Sequence, residues 1–344
     1  MFSSSAETYS SYWNESLWSN TIVLGSSLVS DVAAASFIPH SAPTPKLREM
    51  LKYSSDFYGD LCRRSPEAGV VLKKGREFVD PPRAKVLPWY SDCVFDVSPC
   101  VPASDALASS TSDPLTVLPS DKQAGWRFTT FLIEPRFLIP WLRLQLEHFG
   151  VTFEKRKVTS LSDLSSFDIV VNCTGLGART LANDVSVRPV SGQVLLLRFS
   201  GLNEWVRDTS TPGSIGYVYP QRNTVVVGGT KVGEVRNDVD ILSEELKTKC
   251  SQLMPSVAAS PSVGINGGYR PLRSTFRLEI DESSLHQSPK VVHNYGHGGE
   301  GFCFSPGCAR EVVRLVDSLL GRQCGVDYEV QALKRVSKIP RSKL

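Results

Sequence analysis

The chain has 344 residues, of which 41% are hydrophobic and 21% are charged, and its formal net charge is +3. This length suffices for one large domain or two ordinary ones, while the small net charge and the lack of a dense basic run argue against a nucleic-acid binder. No stretch reaches the roughly 20 apolar residues of a membrane span, and the first residues lack a secretory signal, so we expect a soluble, intracellular protein.

The eight cysteines are scattered, with no CxxC pair and no neighbouring pair of histidines. In a chain of this size without a secretion signal, free thiols are expected rather than disulfides. The spacing does not favour a zinc site, and we expect no bound metal.

The first half of the chain contains two short predicted elements and one clear helix. Residues 21–24 are predicted as a short buried strand, and residues 30–35 as a short helix capped by Asp31. Apolar residues at helical spacing predict a longer helix over residues 46–62. The abundance of Pro and Ser over residues 81–122 indicates loops and short strands.

The strongest helix signal follows this segment. Residues 134–149 have Pro135 in the first turn, an apolar face, and Gly150 as a terminator. Residues 167–172 are apolar on both faces, as is typical of a central parallel strand covered by helices. Further strands are predicted at 151–153, 193–199 and 224–227, and a last helix at 309–320.

The alternation of strands and helices indicates an α/β fold. Residues 191–285 are strand-rich and could form a separate antiparallel sheet.

Three segments could carry chemistry. In the first, a predicted buried strand runs into Cys173, Thr174 and Gly175, small residues that let the backbone approach a nucleotide. Any tight strand end in an α/β protein would look similar, so this signal is weak by itself.

The second segment is the glycine-rich run at residues 293–302. As a loop that leads into a helix, it would present free N–H groups and the positive end of a helix dipole to an anion. An ordinary flexible loop is an equally good interpretation. His297 within it is better explained as a structural hydrogen-bonding residue than as a proton shuttle.

The third segment is Gly268-Tyr269-Arg270-Pro271. Most arginines are simply solvated, but Arg270 stands on a backbone restricted by its neighbours. Such an arginine is suited to hold a carboxylate by two parallel hydrogen bonds.

Together these three segments resemble the FAD-dependent D-amino-acid oxidase family, and most closely its D-aspartate oxidase branch. Residues 31–34, Trp141-Leu142, residues 217–220 and residues 227–230 match as well. The resemblance extends from about residue 21 to the C-terminal end, which makes it far more specific than any single motif.

The resemblance implies a Rossmann-like FAD-binding domain with a parallel sheet, and a sheet-based α+β substrate domain. The FAD-binding domain would combine residues 1–45, 134–190 and 286–344. The substrate domain would combine residues 46–133 and 191–285.

Site residues follow from the same resemblance. Arg270 would bind the substrate α-carboxylate, Tyr217 would donate to it, and the carbonyl of Gly299 would accept from the substrate amine. The residues implied for FAD binding are Ser30, Asp31, Val158, Cys173, Thr174, Gly175, Gly298, Gly299, Glu300, Gly301, Phe302 and Cys303. Hydride transfer from the substrate Cα to flavin N5 mainly needs orientation, so no residue is expected to act as a catalytic acid or base.

An acidic substrate needs another cation in the pocket, because an unpaired buried carboxylate is costly. Arg207 matches one arginine of D-aspartate oxidases, and Lys231 stands where a second would be. Both could instead be ordinary surface charges, and lysine does not replace arginine in bidentate binding.

The tripeptide Ser342-Lys343-Leu344 matches a peroxisomal address. It predicts a location in the peroxisome matrix and binding to the import receptor, which suits an oxidase that uses oxygen and releases hydrogen peroxide. A chance ending is the alternative.

The sequence departs from the family near its start, where a strand running into G-x-G-x-x-G is expected. The only similar runs lie at residues 175–177 and 296–301. A protein without that turn is expected to bind FAD weakly, to be poorly stable and to have little activity. The alternatives are an oxidase of neutral D-amino acids, a non-catalytic remnant, and a glycine- or sarcosine-type oxidase.

Overall fold

The computed structural model describes residues 21–22, 29–108, 113–199, 201–229 and 239–322. Among these residues, no helix is both long enough and apolar enough to cross a membrane. All seven cysteines in this part of the chain are free thiols. Lys231, the tripeptide 342–344 and residues 23–24 of the first predicted strand lie outside the described residues.

The longest helix, α1 (Pro45–Arg64), confirms the helix expected over residues 46–62. Thr44 caps it by accepting a hydrogen bond from the Leu47 amide at 3.2 Å, and Pro45 fits the first turn because it lacks an N–H. Its apolar face is buried, so helix formation and core packing support each other.

Five further helices complete the helical set of the described residues. They are α2 (Ala103–Ala108), α3 (Pro135–His148), α4 (Ala178–Leu181), α5 (Val239–Leu253) and α6 (Gly301–Leu319). The helix α3 confirms the strongest helix prediction, whereas α2 lies in a segment where loops and strands were expected. The helix α5 has no counterpart among the sequence predictions.

Two short strands pair in parallel apart from the main sheet: β1 (Thr21–Ile22) and β5 (Thr152–Phe153). Ten strands form one mixed sheet in the order β3-β4-β2-β8-β9-β10-β7-β11-β12-β6. Their bounds are β2 (Val70–Phe78), β3 (Phe95–Pro99), β4 (Gly125–Ile133), β6 (Ile169–Asn172), β7 (Arg188–Leu197), β8 (Glu204–Asp208), β9 (Gly216–Pro220), β10 (Val225–Gly228), β11 (Ser262–Ile280) and β12 (Lys290–His297).

The strand β11 joins the two parts of this sheet. Its first half pairs antiparallel with β7, and its end pairs antiparallel with β12. The strands of residues 191–285 are therefore antiparallel as expected, but they continue into β12 and β6 rather than forming a separate sheet. A strand of 19 residues is long enough to have different neighbours at its two ends. The domain boundaries given above stay a prediction.

Two buried clusters hold the sheet and helices together. In the larger one α1 packs against α6 so closely that a Cβ at Gly307 would lie 2.4 Å from the Met50 carbonyl oxygen. Phe128 and Trp205 pack edge to face within it, with ring centroids 4.8 Å apart. In the second cluster α5 covers β7, β9 and β10. Both clusters stabilise the strands that carry the site residues.

Three sequence predictions are wrong in detail. The strand β6 is an end strand of the ten-stranded sheet rather than a central one; its residues are apolar because Val170 and Val171 are buried by packing on its faces. The first half of the expected loop 293–302 is the end of the strand β12, since pairing with β6 and β11 orders it up to His297. The last helix starts at Gly301, eight residues before the predicted position, with Pro306 inside its first turns.

The remaining predictions of short elements agree more closely with the structure. The expected helix at residues 30–35 is a single 3-10 turn over Val29–Val32, packed on β11. The strands expected at 151–153, 193–199 and 224–227 correspond to β5, β7 and β10.

Candidate active site

The carboxyl ends of β6 and β12 lie side by side, because the two strands pair in parallel. Cys173 and Thr174 follow β6 and are solvent-accessible. Cys173 is nevertheless so closely surrounded by protein that burial raises its pKa to about 12, with a hydrogen bond to Asn294 opposing the shift. The Cys173 thiol therefore stays protonated near neutral pH.

Hydrogen bonds to the Asn172 side chain hold Thr174 in place. The Asn172 side-chain carbonyl accepts from the Thr174 amide at 3.1 Å and from its hydroxyl at 2.7 Å. The Asn172 amide nitrogen lies 3.3 Å from Nδ1 of the buried His293, whose Nε2 is 3.2 Å from an Asp281 carboxylate oxygen. This chain of polar contacts fixes the strand end, and the sequence analysis did not identify it.

The run 296–301 has the spacing G-x-G-x-x-G, with a strand before it and a helix after it. Gly298 has a left-handed φ of +56°, and its amide donates to the Pro271 carbonyl at 2.8 Å. A Cβ at Gly301 would meet no other atom within 4 Å in the described part of the chain. The N-terminus of α6 thus opens onto free space, where its N–H groups and dipole favour an anion.

Arg270 lies on β11 beside this opening. Its Nη1 donates to the Ser191 carbonyl at 3.3 Å, and its guanidinium covers Gly192. An ideal Cβ at Gly299 would lie 3.9 Å from Arg270 Cδ, so the two predicted substrate-binding residues do come together. One edge of the guanidinium is held by the backbone, which suits bidentate binding of a carboxylate.

Tyr217 lies on β9, and its ring covers Gly228 of the neighbouring β10. It stacks on Tyr219 with a centroid distance of 4.7 Å and an interplanar angle of 14°. Burial raises the Tyr217 pKa, while the charges of Arg270 and Arg207 act in the opposite direction. The hydroxyl is therefore a neutral donor that lies in the field of both arginines.

Arg207 lies on β8, directly opposite Tyr217 of β9 and Glu77 of β2. It is buried, with 5% of its surface exposed, so the interpretation as a surface charge is wrong for this residue. Its Nε lies 3.5 Å from a Glu77 carboxylate oxygen. Glu77 also accepts from the hydroxyls of Tyr90 at 2.9 Å and Thr209 at 3.1 Å.

His40 links these groups, although the sequence analysis did not single it out. Arg207 Nη2 donates to His40 Nδ1 at 2.7 Å, and an ideal Cβ at Gly299 would lie 4.0 Å from His40 Cδ2. The amides of His40 and Ser41 and the Ser41 hydroxyl all donate to the Glu300 carboxylate. A proline-histidine pair after a short turn gives no periodic or motif signal, which explains why it was missed.

The other predicted cofactor residues are placed as follows. Ser30 and Asp31 form the 3-10 turn on β11, and Val158 lies in the loop after β5. The Phe302 carbonyl accepts from the buried Tyr58 hydroxyl at 2.7 Å, and the Cys303 thiol donates to the Ser36 carbonyl at 3.4 Å. Glu300 contributes backbone to the cleft, but its side chain is engaged with residues 40 and 41.

His297 is a neutral structural residue. It stacks on Phe276 with a centroid distance of 4.5 Å, and its Nε2 lies 3.5 Å from the Cys308 sulfur. Burial lowers its pKa to about 4, so the imidazole is uncharged near neutral pH.

These features fit a flavin nucleotide. The strand ends at residues 173–175, the free space at Gly301 and the helix dipole of α6 form a cradle for an electron-rich, anionic edge, and Arg270, Tyr217 and His40 border the adjoining space. FAD bound there would supply the two-electron acceptor for an amine oxidation. The chain itself would supply carboxylate binding and orientation.

Comparisons with known proteins agree with this assignment. Residues 24–315 match the family described as FAD dependent oxidoreductase. The chain is 32% identical to a D-amino-acid oxidase of Rubrobacter xylanophilus over 85% of each protein, and 31% identical to a D-aspartate oxidase of Homo sapiens over 83% of each. A glycine oxidase from Bacillus cereus has a similar fold, with a TM-score of 0.63 at 15% identity, covering 87% of this chain and 86% of that one. The chain belongs to the FAD dependent oxidoreductase family of these oxidases, and FAD is its cofactor.

Proposed function

We propose that this protein is an oxidase of acidic D-amino acids, with D-aspartate as its preferred substrate. The reaction removes a hydride from Cα and a proton from the amine, and water then converts the imine to the 2-oxo acid and ammonia. Oxygen is the final electron acceptor, and it leaves as hydrogen peroxide. Relatives named D-amino-acid oxidase and D-aspartate oxidase support oxidative deamination of D-amino acids.

The observation that carries the acidic preference is a second arginine beside the first. The positive charges of Arg270 and Arg207 both lower the pKa of His40 and oppose the rise in the pKa of Tyr217, so both guanidinium groups lie near these two side chains. Arg270 has an edge available for the α-carboxylate that all amino acids share. Arg207 adds positive charge on the far side of the same space, where only a substrate with a second carboxylate would gain from it.

The roles proposed for the chain's residues are those that the family resemblance implies, and the chemistry of the side chains is compatible with them. Arg270 and the neutral Tyr217 hydroxyl donate to the α-carboxylate, and the Gly299 carbonyl accepts from the amine. No carboxylate or charged histidine is required next to Cα. Orientation of the substrate is the main contribution, and it can account for roughly 7–11 kcal/mol of the barrier.

An oxidase of neutral D-amino acids is the second candidate. Glu77 lies 3.5 Å from Arg207 Nε and offsets much of its charge. If that compensation dominates, the pocket offers little to a second carboxylate.

The test uses the purified full chain supplied with FAD. The visible flavin spectrum is recorded before and after anaerobic addition of D-aspartate, D-alanine or L-aspartate, and steady-state rates follow in air. We expect D-aspartate to bleach the flavin at lower concentration than D-alanine, and L-aspartate to have no effect. Arg207→Met should reduce kcat/KM for D-aspartate by about 100-fold or more, as loss of a charge-assisted contact implies, and should spare D-alanine.

Equal or better use of D-alanine by the unaltered protein would refute the acidic preference and favour the second candidate. A protein that contains FAD but leaves it oxidised with every D-amino acid would refute the proposed oxidase activity itself. The peroxisomal location stays a prediction, since it rests on the tripeptide 342–344 alone.

A further inference from the structure

His40 contacts Arg207 and is the accessible member of the pair. Part of the His40 surface is exposed, whereas Arg207 is buried. Arg207 Nε and Nη1 have less than 1 Å² of accessible surface each and find no hydrogen-bond acceptor among the described residues. The third nitrogen, Nη2, donates to His40 Nδ1 at 2.7 Å. In this arrangement a substrate would meet the imidazole before it met the guanidinium.

The contact with Arg207 determines which ring nitrogen of His40 carries the proton. A guanidinium can only donate, so Nδ1 must accept. A neutral imidazole that accepts at Nδ1 carries its hydrogen on Nε2. Although part of its surface is exposed, the His40 ring is closely surrounded by protein. The resulting desolvation, together with the charges of Arg207 and Arg270, lowers the pKa of His40 well below its usual value and favours the neutral ring.

The backbone of His40 is fixed by a separate set of contacts. The Glu300 carboxylate accepts from the amides of His40 and Ser41 and from the Ser41 hydroxyl. Glu300 precedes the first residue of α6, so the loop that carries His40 is attached to the helix that borders the cofactor cradle. The charged groups that surround the imidazole are thus Arg207, Arg270 and, through the backbone, Glu300.

We propose that His40 is the residue that contacts the distal carboxylate of an acidic substrate, donating from Nε2, and that Arg207 acts through His40 by polarising it. This inference rests on the proposed acidic preference and changes the expected role of Arg207. Arg207 is then a positioning residue, because its positive charge makes the Nε2–H a stronger donor. His40 and Arg207 work as one unit, whereas the α-carboxylate depends on Arg270.

The test compares His40→Ala, His40→Gln, Arg207→Met and the double variant His40→Ala/Arg207→Met in the full chain with FAD. We expect His40→Ala to raise KM for D-aspartate by about 10-fold or more, with kcat and the D-alanine kinetics little changed. Gln can accept from Arg207 and donate to the substrate, so His40→Gln should recover most of the loss. The double variant should be no worse than the more impaired single variant, as expected for two residues of one unit.

An unchanged or lower KM for D-aspartate in His40→Ala would overturn the proposal, because Arg207 would then bind the substrate directly or His40 would have no part. Additive losses in the double variant would overturn it too. Binding of malonate and of acetate, measured by calorimetry, separates this result from failure of the proposed function. Malonate binding that weakens in His40→Ala while acetate binding does not would support His40 even if the unaltered protein turned over no D-aspartate.

Discussion

The guanidinium of Arg270 occupies the space that a side chain at Gly192 would need. An ideal Cβ at position 192 would lie 2.3 Å from Cζ and from both terminal nitrogens of Arg270. Gly192 lies on β7 opposite Gly268 of β11, so Arg270 reaches it diagonally across the pair of strands. The orientation of Arg270, which we propose binds the α-carboxylate, therefore depends on the absence of a side chain on the neighbouring strand.

Gly192→Ala should displace Arg270 from this position. We expect kcat/KM to fall by roughly 10- to 100-fold for every substrate, because the α-carboxylate loses a charge-assisted contact. Steady-state kinetics with D-aspartate and D-alanine measure this. Gly264→Ala on β11 is the matched control, since a Cβ there meets no described atom within 4 Å. Equal kinetics for both variants would contradict the dependence on Gly192.

Tyr217→Phe should remove one donor and leave the ring in place. The ring remains stacked on Tyr219 and over Gly228, so the fold should be unaffected. We expect KM to rise about 10-fold, equally for D-aspartate and D-alanine, because the hydroxyl serves the α-carboxylate. Tyr219→Phe is the control, because that hydroxyl bonds to Ser36. A loss confined to D-aspartate would show that Tyr217 contacts the distal carboxylate instead.

Glu77 and Arg207 form a buried pair of opposite charges, with side chains only 6% exposed each. Removing one partner leaves the other charge unpaired, so Glu77→Gln or Arg207→Met alone should lower the free energy of unfolding by about 3–5 kcal/mol. The double variant should lose clearly less than the sum of the two. Urea denaturation of the four proteins gives the coupling free energy. Strictly additive losses would mean that the two charges do not interact.

The burial of His297 should make stability depend on pH. In the folded protein its pKa is lowered to about 4, whereas an unfolded chain protonates histidine near pH 6.5. The unfolded state binds more protons between these values, so the contribution is fully present above pH 6.5 and is lost as the pH falls toward 4. The loss should reach roughly 3 kcal/mol at most.

His297→Phe should reduce this dependence, because the ring can still stack on Phe276 but does not titrate. The free energy of unfolding in urea at pH 7 and pH 4.5 would measure it. His286→Asn is the control, as that histidine is exposed. An unchanged difference between the two pH values in His297→Phe would assign the dependence to other groups, such as the buried His293.

Local sequence signals were reliable where one element supplied both the pattern and its ends. The helix α3 followed from Pro135, an apolar face and Gly150, and α1 followed from its apolar spacing. These local signals gave the wrong element where pairing between strands decided the structure. Nothing in residues 293–297 separates a glycine-rich loop from a strand, and parallel pairing with β6 makes it a strand.

The residues of the candidate site likewise fall into two groups: those that the sequence indicates and those that only the structure brings to the site. Arg270 stood out from its flanking residues, and the glycines of residues 296–301 from their spacing. The burial of Arg207 and the position of His40 against it depend on contacts between residues 167 positions apart in the chain. No local pattern encodes such a contact, because it arises only when β8 and the segment before α1 pack together.

The sequence by itself indicated the family, the α/β class and the cofactor, because these depend on motifs of residues that lie close together along the chain. Only the tertiary structure decided that β11 joins two parts of one sheet, that Gly192 makes room for Arg270, and that His40 contacts the buried Arg207. The physical reason is that burial and hydrogen-bond partners are properties of side chains distant in sequence, and they exist only once the sheet has paired and the helices have packed on it.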